Sequence, residues 1–130
     1  MAGANWALVG DAAACVNPLN GEGIDYGLET GRLLADLLPG DGDLTRAWPA
    51  LLTGHYGASF SIARRLAGLI TVPGLLAALG PVGMRSRLLM TLALRLMGNL
   101  VTEEDRDLTA RLWRAAGRVS RVVDARPPFG

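Results

Sequence analysis

Leu8-Val9-Gly10-Asp11-Ala12-Ala13, followed by Pro18-Leu19-Asn20-Gly21-Glu22-Gly23-Ile24, is the stretch on which the reading of this chain turns. Asn5 to Val9 is a short apolar run bounded by turn residues and too short for a helix, so it reads as a buried strand. Gly10 ends that strand, and Asp11 fixes a carboxylate at its tip. Ala12 and Ala13 keep the approach clear for a flat ligand. Pro18, Asn20, Gly21 and Gly23 make a loop whose glycines let backbone N–H groups come close to that ligand. A helix then opens at Gly23 or Ile24, and its first turn presents unpaired donors and positive potential. The whole device suits an acceptor-rich, partly anionic ligand held above strand ends.

Working outward from this motif, the chain reads as helical. Ile24, Leu28, Gly31, Leu34, Ala35 and Leu38 follow 3–4 spacing and make one apolar helix face, which Pro39-Gly40-Asp41-Gly42 ends. Leu44 to Leu69 reads as a longer helix with Pro49 or Gly54 as break points. Leu75–Leu79 and Met84 to Leu96 read as two further helices, separated by the Gly80-Pro81 pair. Thr102-Glu103-Glu104-Asp105 resembles a capping box. The helix it opens carries Leu108, Leu112, Ala115 or Ala116, Val119 and Val122 or Val123 on its apolar face. Arg111, Arg114, Arg118 and Arg121 form a basic stripe on the other. Arg126 to Gly130 reads as an extended tail. The expected fold class is therefore mostly α. One or two residual strands from a Rossmann-type α/β domain (residues 1–38) precede a helical region (residues 39–130). A lone strand cannot satisfy its backbone groups, so its sheet partners are expected outside these residues.

Composition narrows the function classes. Half of the 130 residues are hydrophobic, which argues against disorder. One cysteine, Cys15, excludes an internal disulfide and a cysteine-cluster metal site. The single His55 rules out His-rich metal sites, so no metal is expected. The net charge of +1 hides an asymmetry: residues 1–43 hold seven acids and one base, whereas residues 44–102 hold six arginines and no acid. An acid-free basic and Leu-rich middle suits anionic headgroups or a diphosphate, or else solvated helix faces paired with the acidic first third. The uncharged window Leu66 to Met84 has the length of a membrane span, but Pro73, Gly74, Gly80, Pro81 and Gly83 interrupt it. It reads as two apolar helices with a kink, lying on a membrane or lining a greasy pocket. No basic stretch followed by an apolar run opens the chain, so a cytoplasmic location with peripheral contact at the inner face of the membrane is expected. Nothing points to nucleic acid.

The string Gly10-Asp11-Ala12-Ala13, Pro18, Gly21-x-Gly23-Ile24 resembles the second flavin motif of p-hydroxybenzoate-hydroxylase-like flavoproteins. The fuller string Val16 to Tyr26 is more similar to the geranylgeranyl reductase branch of that superfamily. Arg111 to Arg118 and the Arg-Pro-Pro-Phe ending resemble members that reduce a menaquinone side chain. The resemblance covers essentially the whole chain, as the C-terminal third of such an enzyme. It implies FAD as cofactor, a polyprenyl lipid substrate, an electron donor such as NAD(P)H, and reduction of a C=C bond by hydride from reduced flavin. By the same resemblance Asp11 hydrogen-bonds a ribityl hydroxyl, and Gly10, Ala12 and Ala13 line the ribityl and pyrophosphate path. Pro18, Asn20, Gly21 and Gly23 run beside the isoalloxazine ring. Backbone N–H groups from Gly21 to Ile24 face the ring edge that becomes anionic on reduction. Leu-rich helices between residues 66 and 100 line an apolar tunnel.

No catalytic residue is assigned. Cys15 reads as a small packing residue and His55 as a structural or surface histidine. Trp6, Trp48 and Trp113 read as core or interfacial residues, and Glu22 and Asp25 as partners for the Arg-rich half. No Gly-x-Gly-x-x-Gly occurs, and in this family that fingerprint holds the ADP half of FAD. The chain is therefore expected to be a piece that lacks an N-terminal FAD-binding half and holds FAD weakly alone. Two other readings stay open: a flavin monooxygenase built on the same motif, and a non-enzymatic membrane-associated helical protein.

Overall fold

The structure, a computed structural model, describes residues 1–38, 42–98, 105–125 and 128–129. The protein is mostly α, as its periodicity implies. Two strands, β1 (Ala2–Gly3) and β2 (Trp6–Ala7), precede a short 3-10 turn at Gly10–Ala13. Five helices follow: α1 (Ile24–Leu37), α2 (Leu44–Ile70), α3 (Leu75–Arg85), α4 (Arg87–Met97) and α5 (Leu108–Val122).

The strand expected over Asn5 to Val9 shrinks to two residues and finds its partner inside the chain. β1 and β2 pair antiparallel, Ala2 with Ala7 and Gly3 with Trp6, across the Ala4-Asn5 turn. A two-stranded ribbon is marginal alone. Here it is tied down where the Trp48 indole N–H donates to the Leu8 carbonyl at 2.9 Å, and where Ala2, Ala7 and Val9 pack on the core. Trp48 and Leu52 of α2 are fully buried at that core's centre, with Tyr26, Tyr56, Phe60, Cys15 and Ala13 around them. Tyr26 meets Tyr56 and Phe60 edge-on, at centroid distances of 5.4 and 5.2 Å.

α2 runs unbroken through both expected break points. Pro49 falls in its second turn, where the missing N–H leaves only the Thr45 carbonyl without its helical partner, and Thr45 is exposed to water. Gly54 costs propensity but not continuity. The break comes at Thr71 to Gly74, where α2 and α3 meet at 106°. Gly80-Pro81 does not end α3. The boundary lies instead at Ser86, whose hydroxyl accepts from the Leu89 N–H at 3.3 Å and starts α4.

Two apolar faces are corrected by the structure. In α1 the inward face is Tyr26 and Thr30 with Leu33, Leu34 and Leu37, whereas Ile24 is 80% exposed and Leu28 is also on the surface. In α5 the buried residues are Ala110, Gly117 and Ser120, and the expected apolar stripe from Leu108 to Val122 faces outward. The reason is the closeness of α5 to α2. A Cβ on Gly117 would lie 2.9 Å from the Ala58 carbonyl oxygen, so only a small-residue face can be buried there. Ser61 and Ser120 share a hydrogen bond of 2.8 Å across the same seam, and Ser61 also donates to Asp124 at 2.7 Å. The cap of α5 is Asp107, which accepts from the Ala110 N–H at 2.8 Å. The stop at Pro39–Asp41, the box residues Thr102–Glu104, and Arg126, Pro127 and Gly130 of the tail lie outside the described residues.

Candidate functional site

The segment from Gly10 to Ile24 folds into a compact double turn on the N-terminal end of α1. Gly10 adopts φ +56°, and its N–H donates to the Thr30 hydroxyl at 2.9 Å, which donates to the Tyr26 carbonyl at 2.6 Å. A side chain on Gly10 would press on the Gly27 backbone at 3.2 Å, so glycine here lets the turn lie directly on α1. The Ala14 N–H returns to the Asp11 carbonyl and the Cys15 N–H to the Gly10 carbonyl, both at 2.9 Å. The second turn is built by asparagines. The Asn17 side chain accepts from Leu19 N–H and the Asn20 side chain from Glu22 N–H, each at 2.9 Å. Asn20 also donates to the Met97 carbonyl at the end of α4.

This scaffold leaves Asp11 exposed and sets its carboxylate directly over Gly23. A Cβ on Gly23 would stand 2.4 Å from Asp11 Oδ1. Gly23 is also the N-cap of α1, which has no side-chain cap of its own. Carboxylate and open helix N-terminus therefore stand together on one exposed edge. Gly21, at φ +75°, has nothing within 4 Å of where a side chain would begin. Of the expected site residues, Asp11, Ala12, Asn20, Gly21 and Ile24 are exposed, and Pro18 and Gly23 are half-buried. Gly10 is buried in its turn. Ala13 points into the core at 2% exposure, so it supports the turn from behind. An exposed carboxylate, a helix start with no side-chain cap and a glycine whose Cβ would crowd that carboxylate meet there, an arrangement that suits a ligand carrying both hydroxyls and an acceptor edge.

Cys15 is fully buried, and burial pushes its thiol up to about 11. Its thiol leans on the Ala13 carbonyl at 3.7 Å, which makes it a packing residue. Among the described residues no group of three His, Cys, Asp or Glu can hold a metal.

Beside the loop opens a cavity of about 740 Å³. Asn17 and Leu19 form one wall, Tyr26, Tyr56 and Phe60 another, and Trp113 of α5 a third. The exposed His55 and Arg118 mark its open side. Burial, and then the neighbouring Glu29 carboxylate, hold the Tyr56 phenol far above its usual range. The hydroxyl nevertheless completes no hydrogen bond. The sequence reading passed over Tyr56 and Glu29. The i, i+4 pair Tyr56 and Phe60 was the available signal. Of the helices expected to line an apolar tunnel, α3 and α4 carry no buried residue, and among the described residues of that range Arg95 and Leu96 reach this cavity. Among the described residues Arg64 meets Asp124 at 2.7 Å and Arg95 meets Asp105 and Asp107, so these two middle arginines have acidic partners in the C-terminal part.

Comparison with known proteins meets this geometry from outside. The chain is 64% identical over 129 residues to menaquinone reductase from two strains of Mycobacterium tuberculosis. It is similar to one third of a menaquinone reductase. The match takes in 99% of this chain and 31% of that relative. Menaquinone reductase of Mycolicibacterium smegmatis matches at 63% over 131 residues, again 99% of this chain and 32% of the relative. No family model matches the chain, and no solved structure matches it.

Proposed function

We propose that this chain is part of an FAD-dependent oxidoreductase that saturates a C=C bond in the polyprenyl side chain of a menaquinone-type substrate. Electrons come from a donor such as NAD(P)H. The observation that carries this reading is the Asp11 carboxylate set over Gly23 at the uncapped start of α1, in a chain 64% identical to menaquinone reductases. Asp11 would accept a hydrogen bond from a hydroxyl of the ribityl chain. The N–H groups at the start of α1 would meet the acceptor edge of the ring, where positive potential favours negative charge. Gly21 and Gly23 keep that approach open, and Pro18 and Asn20 hold the loop in shape. When bound, the flavin supplies the reducing equivalents that saturate the alkene. The cavity next to the loop, with its aromatic walls, suits an apolar prenyl segment and keeps water from it. On this reading the enzyme works in the cytoplasm against the membrane that holds its substrate. A monooxygenase using the same motif has no observation in its favour, since the relatives are named reductases.

Titration of FAD into the purified chain, followed by quenching of flavin fluorescence, tests the site. Weak but saturable binding is expected, because these 130 residues contain no Gly-x-Gly-x-x-Gly for the ADP half. Asp11→Ala should weaken it roughly tenfold, the worth of one hydrogen bond to a charged group. Equal affinity in the variant and the wild type would sink the reading. The reaction itself is read by mass spectrometry of the prenyl side chain, as the gain of one hydrogen molecule.

A further inference from the structure

We infer, on the reading of the cavity as the place of a prenyl segment, that Phe129 is a positioning residue for it. Phe129 holds the Tyr56 and Phe60 rings in place and so limits how long a linear isoprenoid segment can enter. The tail does not run off extended, as its sequence suggests. Pro128 is buried and Phe129 half-buried against the core cluster. The Phe129 ring stands 5.5 Å from Phe60 and 6.3 Å from Tyr56, within the range over which aromatic pairs attract. Both of those rings line the cavity, and Phe129 touches them without lining it. The contact is internal to this chain. The Arg65 guanidinium donates to the Val123 carbonyl at 3.2 Å, and Ser61 and Arg64 each donate to Asp124 at 2.7 Å. α2 therefore receives the chain twice, at Val123 and Asp124 and again at Phe129.

Two features set this contact apart from ordinary packing. Phe129 adopts φ +64°, a left-handed backbone in which an aromatic residue is strained. Next to it, the Tyr56 ring is flanked by Tyr26 at 5.4 Å, Phe60 at 5.6 Å and Phe129 at 6.3 Å, and its hydroxyl has no hydrogen-bond partner. A strained backbone and an orphan hydroxyl thus meet at one wall of one cavity. A conformation held against such costs is one that its neighbours fix.

The open side of the cavity carries His55 and Arg118, so the apolar end of an entering chain meets the aromatic wall. With the Phe129 ring gone, Tyr56 and Phe60 can turn into the space it leaves. Part of that space stays open, because a core collapses only partially around a deletion. The cavity then lengthens by part of a ring.

The test is the preference of the 130-residue chain between farnesol and geranylgeraniol, both presented from cyclodextrin. Tryptophan emission reads the binding, because Trp113 lines the cavity. Phe129→Ala should shift the preference toward geranylgeraniol roughly tenfold, the worth of burying about two further methylene groups. Phe129→Leu keeps most of the apolar bulk and should keep the wild-type preference. Phe129→Gly removes the ring and relieves the left-handed backbone. It should show the same shift as Phe129→Ala with a higher unfolding midpoint, so the shift stays measurable where the alanine variant folds poorly. Leu52→Ala cuts into the core at a residue that does not line the cavity. It should lower the unfolding midpoint and leave the preference unchanged. An equal loss of both alcohols in Phe129→Ala, or the same shift in Leu52→Ala, would make Phe129 an ordinary core residue and overturn the inference. Binding of both alcohols with the preference unmoved in Phe129→Ala would strike the role of Phe129 alone. Failure of the wild-type chain to bind either alcohol would remove the prenyl reading of the cavity, and this role with it.

Discussion

The body of the molecule and its α3–α4 arm are built from similar residue types and used in opposite ways. In the body, α2 buries Trp48, Leu52, Tyr56, Phe60 and Ala63, and α5 comes close enough that Gly117 touches the Ala58 backbone. In the arm, a run at least as rich in leucine and alanine buries nothing. Hydrophobicity along the chain therefore says where a partner is needed and not which partner is present. Within the body α2 found its partner in the chain, while the apolar stripe of α5 faces outward. The arm presents its side chains outward too, and with no acid among them.

Substitution should separate the two regions by stability. Trp48→Ala removes the largest fully buried side chain and the hydrogen bond that pins the hairpin to α2. It should cost about 3–5 kcal/mol in urea unfolding. Leu79→Ala deletes apolar atoms from an exposed site and should stay within about 0.5 kcal/mol. A cost for Leu79→Ala near that of Trp48→Ala would mean that the arm is packed in free solution, and the contrast drawn here would fail.

The same contrast explains how far the sequence could be read. The turn from Gly10 to Ile24 was legible because its chemistry is local. Glycines at positive φ, asparagines that fold back on their own backbone, and a helix start leave little choice. The kink after Ile70 was legible for the same reason. The faces of α1 and α5 were not, because periodicity ranks side chains by polarity while the interface selected them by size. α5 buries Gly117 and Ser120 and leaves Leu112 and Val119 outside. Trp6–Ala7 lies within the expected strand, but its partner Ala2–Gly3 gave no strand signal, since two small residues show no alternation. Gly80-Pro81 misled in the other direction: one exposed carbonyl left to water did not suffice to end α3.

Alkaline pH should act on the body alone, because the titrating groups of α3 and α4 are arginines. Burial holds the Cys15 thiol at about 11 in the folded chain, against 9.0 when exposed. Below pH 9 the thiol is protonated in both states and makes no difference. Above it the unfolded chain ionises while the folded chain cannot, so stability falls until the folded thiol titrates near 11. Denaturation midpoints measured across that window should decline in the wild type and decline less in Cys15→Ala. An unchanged slope in the variant would show that Cys15 reaches solvent.

An effect smaller than that of Trp48→Ala, and opposite in sign, bears most directly on the cavity. Tyr56 is 6% exposed, and its ring stands in the aromatic cluster, 5.4 Å from Tyr26 and 5.6 Å from Phe60. Its hydroxyl is buried with no hydrogen-bond partner. A buried hydroxyl without a partner pays its desolvation in full, so removing it can stabilise a fold. Tyr56→Phe keeps the ring contacts and deletes the orphan oxygen, and it should raise stability by about 1 kcal/mol in thermal or urea unfolding. The fold thus holds a polar atom at a cost beside a cavity of about 740 Å³, which packing alone does not explain. If Tyr56→Phe instead lowers stability, the phenol has found Glu29 in solution. The wall of the cavity would then be a closed hydrogen-bonded pair, with no polar group left over for whatever enters.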